Sequence, residues 1–188
     1  MRMIARRQKY SAVFLDRDGV IIEEVNYLSH IGQMSLLPGA ARAIARLRKA
    51  GYKIIVVTNQ SVVARGRLSL SGLRSIHAEL RRRLLKLGAK LDAIYFCPHH
   101  PSVGAGGRCR CRKPAPGMLK AAARRFNLDL KRSFMIGDTT TDMLTARNAG
   151  CRGLLVRTGK GGRDRRYAAK PDAICRDLSA AASYILQG

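Results

Sequence analysis

The chain has 188 residues, 46% of them hydrophobic, which is enough for one folded core and excludes a disordered tail. Its 36 Lys and Arg against 12 Asp and Glu give a net charge of +24, which would attract phosphorylated metabolites and nucleic acid alike. Aromatic residues total only 5%, so a base-stacking platform is poorly supported and a solvated, Arg-rich surface is the simpler interpretation.

We expect neither a transmembrane helix nor an export signal. No apolar run approaches the roughly 20 residues of a transmembrane helix. The apolar stretch Ala12 to Leu15 is too short for the core of a signal peptide, so we expect a cytoplasmic protein without a membrane partner. Disulfides are rare in the cytoplasm, so we do not expect the five cysteines to form a disulfide framework. The isolated Cys151 and Cys175 are expected to be small buried hydrophobic residues.

Strand-like and helix-like stretches alternate along the chain. The predicted strands are Ser11 to Leu15, Lys53 to Val57, Leu91 to Phe96, Ser133 to Ile136, Gly153 to Val156 and Ala173 to Cys175. Helices are predicted after Pro38, along the stripe Leu73, Ile76, Leu80, Leu84 and Leu87, after Pro116, from Asp142 to Ala149 and from Leu178 to Leu186. This alternation predicts an α/β fold, a parallel sheet flanked by helices, in a single domain over residues 1–188.

The most notable polar residues fall at or near the ends of predicted strands. In chain order they are Asp16, Asp18, Thr58, Lys113 and Asp138. Ligands of open parallel sheets bind beyond the carboxyl ends of the strands, so these groups are expected to meet at one edge of the sheet. Asp16 and Asp18 would point to opposite faces of a straight strand, so we expect a bend where the strand ends.

The run Val13-Phe-Leu-Asp-Arg-Asp-Gly-Val20 resembles the first motif of the haloacid dehalogenase (HAD) superfamily of phosphatases. Thr58, Lys113 and Asp138 with Asp142 are similar to its second, third and fourth motifs, in the same order. The resemblance spans about residues 11–158 and implies a Rossmann-like HAD fold. Both gaps that could hold an inserted cap domain are short, so we expect no separate cap domain and an open site.

The resemblance implies a phosphate monoester hydrolase that works through an aspartyl-phosphate intermediate. Asp16 would be the nucleophile, and Asp18 would protonate the leaving alcohol and then activate water. Thr58 and Lys113 would donate hydrogen bonds to the transferring phosphoryl oxygens.

The resemblance also implies a magnesium ion at the same edge of the sheet. Mg²⁺ prefers oxygen ligands and would lie between Asp16, Asp138 and the backbone carbonyl of Asp18. Asp142 would support this metal shell rather than bind the ion.

A second cluster combines cysteine and histidine. Cys97-Pro98-His99-His100 is followed by Cys109-Arg110-Cys111, and glycines in the intervening loop would let it fold back. Three thiolates and one imidazole fit a tetrahedral structural zinc site. By resemblance to related phosphatases the predicted ligands are Cys97, His99, Cys109 and Cys111, with His100 as the alternative to His99. The zinc would hold residues 97–113, here called the zinc loop, in one conformation. The alternative is a loop of reduced cysteines without metal.

Together with Thr58-Asn-Gln-Ser61 and Ala64-Arg-Gly66, the zinc loop resembles the heptose-bisphosphate phosphatase family. This resemblance implies removal of the 7-phosphate of D-glycero-D-manno-heptose 1,7-bisphosphate, a sugar substrate of heptose and lipopolysaccharide biosynthesis. Arg112 would bind the second phosphate of that substrate. The other expected substrate-binding residues are Glu24, Val25, Asn26, Tyr27, Asn59, Gln60, Ser61 and Thr139.

Two positions depart from the pattern of that family. Val62 stands where Gly is usual and could alter the loop over the sugar, and Thr139 stands where a basic residue is usual. The loss of that positive charge could weaken phosphate binding or shift the choice of substrate. His77 is expected on the exposed side of its helix, without a role.

Three other functions compete with this reading. Histidinol-phosphate phosphatase shares the motifs, but its zinc loop is shorter, and its cationic substrate suits a +24 protein poorly. A polynucleotide 3′-phosphatase is favoured by the charge and opposed by the zinc loop. A non-enzymatic nucleic-acid-binding protein is opposed by the intact set of catalytic residues. We expect a monomer.

Overall fold

A computed structural model describes residues 9–103 and 109–188 of the chain. The strands are β1 (Ala12–Leu15), β2 (Lys53–Asn59), β3 (Ala93–Cys97), β4 (Phe134–Gly137), β5 (Arg152–Val156) and β6 (Ala173–Cys175). The α-helices are α1 (Ala40–Lys49), α2 (Leu70–Lys86), α3 (Gly117–Phe126), α4 (Thr140–Ala149) and α5 (Leu178–Gln187), and 3₁₀ turns lie at Ile31–Gln33 and Leu130–Arg132.

The strands form one parallel sheet in the order β3-β2-β1-β4-β5-β6. β1 therefore lies between β2 and β4, with Leu15 in register with Val56 on one side and Ile136 on the other. The order of strand addition reverses at β1, and ligands of open α/β sheets bind at such a switch point. The segments that follow β1, β2 and β4 thus share one edge of the sheet.

Each face of the sheet buries its own hydrophobic cluster, because successive strand residues point to opposite faces. Helices α1, α2 and α5 cover the face to which Val13 and Leu15 point. Helices α3 and α4 cover the other face, where Phe14 shares a cluster with Met118 and Ala146. With both faces covered, the strands are apolar along their length. The predicted α/β fold with a parallel sheet flanked by helices is confirmed.

Most departures from the predicted elements are small. Strand ends shift by one or two residues, and Cys151 and Cys175 are buried as predicted. Leu87 is different: it was expected on the buried stripe of α2 but is 60% exposed. That expectation is wrong because α2 ends at Lys86 and Gly88, with a φ of 75°, turns the chain away.

The prediction of no cap domain concerns two gaps. The linker between β1 and α1 forms only isolated β-bridges and one 3₁₀ turn, so nothing is inserted there. The second gap, after β3, includes residues 104–108 and the predicted glycine loop, which lie outside the described residues. Among residues 9–103 and 109–188, no helix has the length and apolarity that crossing a bilayer requires.

Candidate active site

A cleft of about 660 Å³ opens at the sheet edge where β1, β2 and β4 end. Its lining includes every residue that the sequence assigned to catalysis or to substrate binding: Asp16, Asp18, Glu24, Val25, Asn26, Tyr27, Thr58, Asn59, Gln60, Ser61, Arg112, Lys113, Asp138 and Thr139. Residues far apart in the chain therefore meet at one place, as the strand-end argument predicted.

A buried lysine links two of the carboxylates. The Lys113 ammonium lies 2.8 Å from Asp16 Oδ2 and 2.6 Å from Asp142 Oδ1. Burial alone would lower the pKa of Lys113, but the carboxylates of Asp142 and Asp16 outweigh burial and raise it. The other oxygen of Asp142 accepts from the backbone and the hydroxyl of Thr139. Asp142 thus holds Lys113 from behind, and Thr139 holds Asp142 in a capping box at the start of α4.

Asn59 fixes the same lysine through its backbone. The Asn59 amide donates to the Lys113 carbonyl at 3.1 Å and accepts from the Lys113 N–H at 3.0 Å. This two-bond contact joins the end of β2 to the end of the zinc loop. The ammonium of Lys113 is therefore aimed at Asp16 by main-chain and side-chain contacts together.

Three carboxylates form a cluster that could hold a cation. Oxygens of Asp16, Asp138 and Asp142 lie within 4.8 Å of one another. Burial and then the neighbouring carboxylates raise the pKa of Asp138 to about 8. Burial likewise raises the pKa of Asp16 to about 7, against the opposing effect of Lys113. Asp16 and Asp138 line the cleft, whereas Asp142 is fully buried behind Lys113 and outside the lining, so the pair best suited to an oxygen-seeking ion is Asp16 with Asp138.

Glycines make room for Asp138. A Cβ added at Gly19, where φ is +74°, would collide with the Asp138 carboxylate, and one at Gly159 would do the same. Asp138 Oδ2 also accepts from the Lys160 backbone N–H at 2.7 Å. The turn after β1 and the loop after β5 therefore close around this carboxylate.

The Asp18 carboxylate is held by two neighbours. Arg17 donates to both of its oxygens through Nε and Nη2, at 2.8 to 3.1 Å. The Gln60 amide donates to Asp18 Oδ2 at 2.9 Å and to Thr58 Oγ1 at 2.8 Å. The Asp18 side chain remains 18% exposed, so it still faces the cleft. Bending after β1 brings both Asp16 and Asp18 to the cleft, as predicted.

His77 is buried, so the expectation of a surface residue is wrong. Its ring packs on Phe96, with centroids 5.4 Å apart, and its Nε2 lies 3.4 Å from Arg17 Nη1. Burial and the nearby guanidinium lower the pKa of His77 to about 3. Helical spacing places His77 on the same side of α2 as Leu73 and Leu80, so the apolar stripe itself indicated this burial. The sequence did not indicate the partners of the ring.

Two loops at the cleft, one with Tyr27 and one with Arg65 and Arg67, contact each other. Tyr27 adopts a φ of 60°, uncommon for a bulky residue. The guanidinium carbons of Arg65 and Arg67 lie 5.6 and 5.0 Å from the centre of its ring. Burial, followed by the charge of Asp18, raises the pKa of Glu24. Val62, one of the departures from the family pattern, is 2% exposed and lines the cleft beside these loops.

Positive charge gathers at the mouth of the cleft. Arg65 Nη2 lies 2.7 Å from His100 Nε2, and Arg112 donates to the His99 carbonyl at 3.0 Å. The pKa of His100 is lowered, first by burial and then by the positive charges of Arg65, Arg112 and Arg166. These arginines lie well placed for an anion. The sequence named only Arg112 for the second phosphate. Arg65 entered only as part of the Ala64-Arg-Gly66 motif, and Arg166 carries no signal that separates it from other surface arginines.

The predicted zinc ligands come together. Ligand atoms of Cys97, His99, Cys109 and Cys111 lie within 4.8 Å of one another. Tetrahedral zinc bonded to sulfur at about 2.3 Å would need spacings of this order. Burial alone would raise the pKa of Cys109, but hydrogen bonds from Cys111 and its other neighbours lower it to about 6, which favours a thiolate. His100 lies outside the cluster, against Arg65.

Replacing Cys109 with Ser is expected to remove about one bound zinc per chain, because a hydroxyl is a poor fourth ligand for this ion. Cys151→Ser is the matched control, since Cys151 is buried outside the cluster and should leave the zinc content unchanged. Elemental analysis of the purified variants gives the content directly. Full zinc in Cys109→Ser would contradict the ligand set.

The fold and the cleft define a class of hydrolase. Residues 13–81 match the family model "Haloacid dehalogenase-like hydrolase", and residues 110–181 match a HAD-hydrolase-like model. Together these segments carry all four motifs found in the sequence. The chain belongs to the HAD-like hydrolase family, so the resemblance seen in its motifs is confirmed.

Relatives that match nearly the whole chain indicate which branch of the HAD-like hydrolases it belongs to. The chain is 45% identical to the D-glycero-D-manno-heptose-1,7-bisphosphate 7-phosphatase of Thermosynechococcus vestitus, over 93% of this chain and 94% of the relative. It is 39% identical to the D-glycero-β-D-manno-heptose-1,7-bisphosphate 7-phosphatase of Bordetella bronchiseptica, over 93% of this chain and 97% of that relative. The crystal structure of the B. bronchiseptica enzyme with magnesium and phosphate has a TM-score of 0.86 and 38% identity, covering 94% of this chain and 98% of that one. The chain is a member of this branch.

Proposed function

We propose that the chain is a magnesium-dependent phosphatase that removes the 7-phosphate of D-glycero-D-manno-heptose 1,7-bisphosphate through a phosphoryl group carried on Asp16. The observation that carries the proposal is the convergence of Asp16, Lys113 and Asp138 in the lining of one cleft, with Asp18 facing the same space. Relatives that match nearly the whole chain bear the name of this activity.

The first chemical step uses two carboxyl groups. A carboxylate oxygen of Asp16 attacks phosphorus while the bond to the sugar oxygen breaks, and Asp18 gives that oxygen a proton. The Lys113 ammonium, 2.8 Å from Asp16, is placed to neutralise charge on the phosphoryl oxygens. Asp18, now ionised, then takes a proton from water, which attacks phosphorus and releases inorganic phosphate and Asp16.

Asp16 and Asp138 would hold Mg²⁺, together with the backbone carbonyl of Asp18. The pKa values of Asp16 and Asp138 are raised by burial and by neighbouring carboxylates, and a divalent cation would offset that repulsion. When bound, the ion supplies positive charge that lets the phosphate dianion approach the nucleophile.

Magnesium is expected to stabilise the chain more at alkaline pH. Without metal, the pKa values of about 7 for Asp16 and about 8 for Asp138 exceed those of unfolded carboxyls, about 4. The folded state therefore holds more protons between these values, and metal-free stability falls as pH rises from about 4 to 8. Because Mg²⁺ binds the ionised form, its effect on Tm should be larger at about pH 8.5 than at about pH 5.5.

Melting curves with and without MgCl₂ at both pH values measure this difference. Asp138→Asn should lose most of the magnesium shift while retaining the fold, since the amide keeps the shape of the carboxylate. Equal magnesium shifts at the two pH values, or an undiminished shift in Asp138→Asn, would contradict the proposed metal pair.

The substrate assignment rests on the charge around the cleft. A bisphosphate presents a second anion beyond the reacting phosphate, and Arg112 with the other guanidinium groups that line the cleft would bind that anion. Every group proposed for catalysis comes from one chain, which supports action as a monomer. We further propose that it acts in the cytoplasm without a nucleic-acid partner.

A phosphate-release screen with MgCl₂ tests the substrate. Heptose 1,7-bisphosphate, histidinol phosphate and a 3′-phosphorylated DNA oligonucleotide represent the main and rival functions. We expect the highest kcat/KM for the heptose bisphosphate, and a loss of discrimination between bisphosphate and monophosphate in Arg112→Met. The net charge of +24 is the observation that favours a polynucleotide 3′-phosphatase. A higher kcat/KM for the oligonucleotide would replace the proposal with that function.

A further inference from the structure

A buried polar network lies behind the Asp18 carboxylate. Arg17 is 1% exposed although it carries a full charge, and Gln60 is 5% exposed. Burying an arginine is unfavourable unless its charge and its N–H donors all have partners, so the contacts of Arg17 must account for its burial. Arg17 finds partners in Asp18, Gln60 and His77.

The hydrogen-bond roles in this network are fixed by its chemistry. A guanidinium only donates, so the Gln60 oxygen accepts from Arg17 Nη2 at 2.9 Å. The Gln60 nitrogen must then face Asp18 and Thr58, to which it donates at 2.9 and 2.8 Å. His77 Nε2 lies 3.4 Å from Arg17 Nη1 and can only accept there, as a neutral imidazole does.

The orientation of Gln60 also defines the orientation of Thr58. Because Thr58 Oγ1 accepts from the amide, its own hydrogen remains available to be donated elsewhere. Thr58 lines the cleft, so that donor can point at a bound phosphoryl oxygen. One amide therefore sets the direction of two groups, the Asp18 carboxylate and the Thr58 hydroxyl.

We propose that Arg17 and Gln60 are positioning residues for the phosphatase reaction. They hold the Asp18 carboxyl group where it gives its proton to the leaving oxygen and turn the Thr58 hydroxyl toward the phosphoryl group, and His77 supports Arg17 from behind. This inference rests on the proposed function. The bidentate fork of Arg17 fixes the plane of the carboxylate, which a single-point cation would not do. His77 does not line the cleft and acts only through Arg17.

Leaving groups that differ in their need for a proton separate positioning from general damage. Heptose 1,7-bisphosphate releases a poor alkoxide leaving group that needs the Asp18 proton, whereas 4-nitrophenyl phosphate releases a phenolate that does not. In single-turnover rapid-quench experiments, Arg17→Met and Gln60→Met should each slow cleavage of the heptose ester about 10²-fold. The first phenolate release from 4-nitrophenyl phosphate should fall by a smaller factor in Gln60→Met, about tenfold at most, because this substrate loses the direction of the Thr58 hydroxyl but does not need the Asp18 proton.

A merely structural role would reduce both rates by the same factor. Arg48→Met is the matched control, because it removes an Arg–Asp92 pair of 2.8 Å that lies away from the cleft, and both rates should stay at the wild-type value. If Arg17→Met does not fold, Gln60→Met alone tests the inference. Equal losses on both substrates, or no loss on the heptose ester, would overturn the inference. A wild-type chain that cleaves neither substrate would overturn the proposed function itself.

Discussion

Replacing Asp16 with Asn is expected to reduce phosphate release by on the order of 10⁴-fold or more, because an amide cannot attack phosphorus as a carboxylate does. Asn preserves the shape of the side chain, and Lys113 retains its second partner Asp142 at 2.6 Å, so the fold should persist. Initial rates with MgCl₂ and the heptose bisphosphate measure the effect, and a melting curve measures the fold.

Asp129→Asn is the matched control for that substitution. Asp129 caps a 3₁₀ turn through Lys131 and lies away from the cleft, so its loss should leave the rate unchanged. Residual activity of Asp16→Asn above a few per cent of wild type, in a preparation free of contaminating phosphatase, would remove Asp16 as the nucleophile.

Replacing Lys113 with Met should damage both activity and stability. The phosphoryl group loses a buried positive donor, which is expected to cost about 10²- to 10³-fold in kcat. The chain also keeps Asp16 and Asp142 buried without the cation that links them. Breaking such a buried pair on one side costs about 3 kcal/mol or more in the free energy of unfolding. Urea denaturation and initial rates, each without and with MgCl₂, measure the two losses.

A double variant separates the two effects of Lys113. Lys113→Met/Asp142→Asn removes the orphaned carboxylate as well, so part of the lost stability should return while the activity does not. Lys120→Met, on an exposed turn of α3, is the control and should change the unfolding free energy by less than about 0.5 kcal/mol. Full activity in the single variant would contradict the place given to Lys113 beside the phosphoryl group.

The sequence was sufficient to predict the fold class and the meeting point of the catalytic groups. Apolar runs such as Lys53 to Val57 identify buried parallel strands, and the polar residues that end them must share one edge of the sheet. Asp16, Thr58 and Asp138 could therefore be placed together before any coordinates. The lysine of the third motif could be named only by resemblance, since its segment has no periodic pattern.

What the sequence could not predict depends on pairs formed across the fold. Arg17 would ordinarily be taken for a solvated residue, and its burial depends on contacts with the distant Gln60 and His77 as well as with Asp18. The burial of His77 follows from its place on the apolar stripe of α2, but its partners could not be predicted, because Phe96 and Arg17 come to it from two other segments. The start of α4 was placed two residues late, because the cap that begins it is Thr139, bonded back from Asp142.

Chemical trapping of the phosphorylated chain tests the account at its centre. The chain, mixed with heptose 1,7-bisphosphate and MgCl₂, is quenched in acid, reduced with borohydride and mapped by peptide mass spectrometry. An acyl phosphate is reduced to the alcohol, so we predict homoserine at the position of Asp16. The whole scheme requires the carboxylate at the end of β1 to carry the phosphoryl group during turnover. Steady release of phosphate with that side chain unmodified, or with the phosphoryl group on another residue, would contradict it.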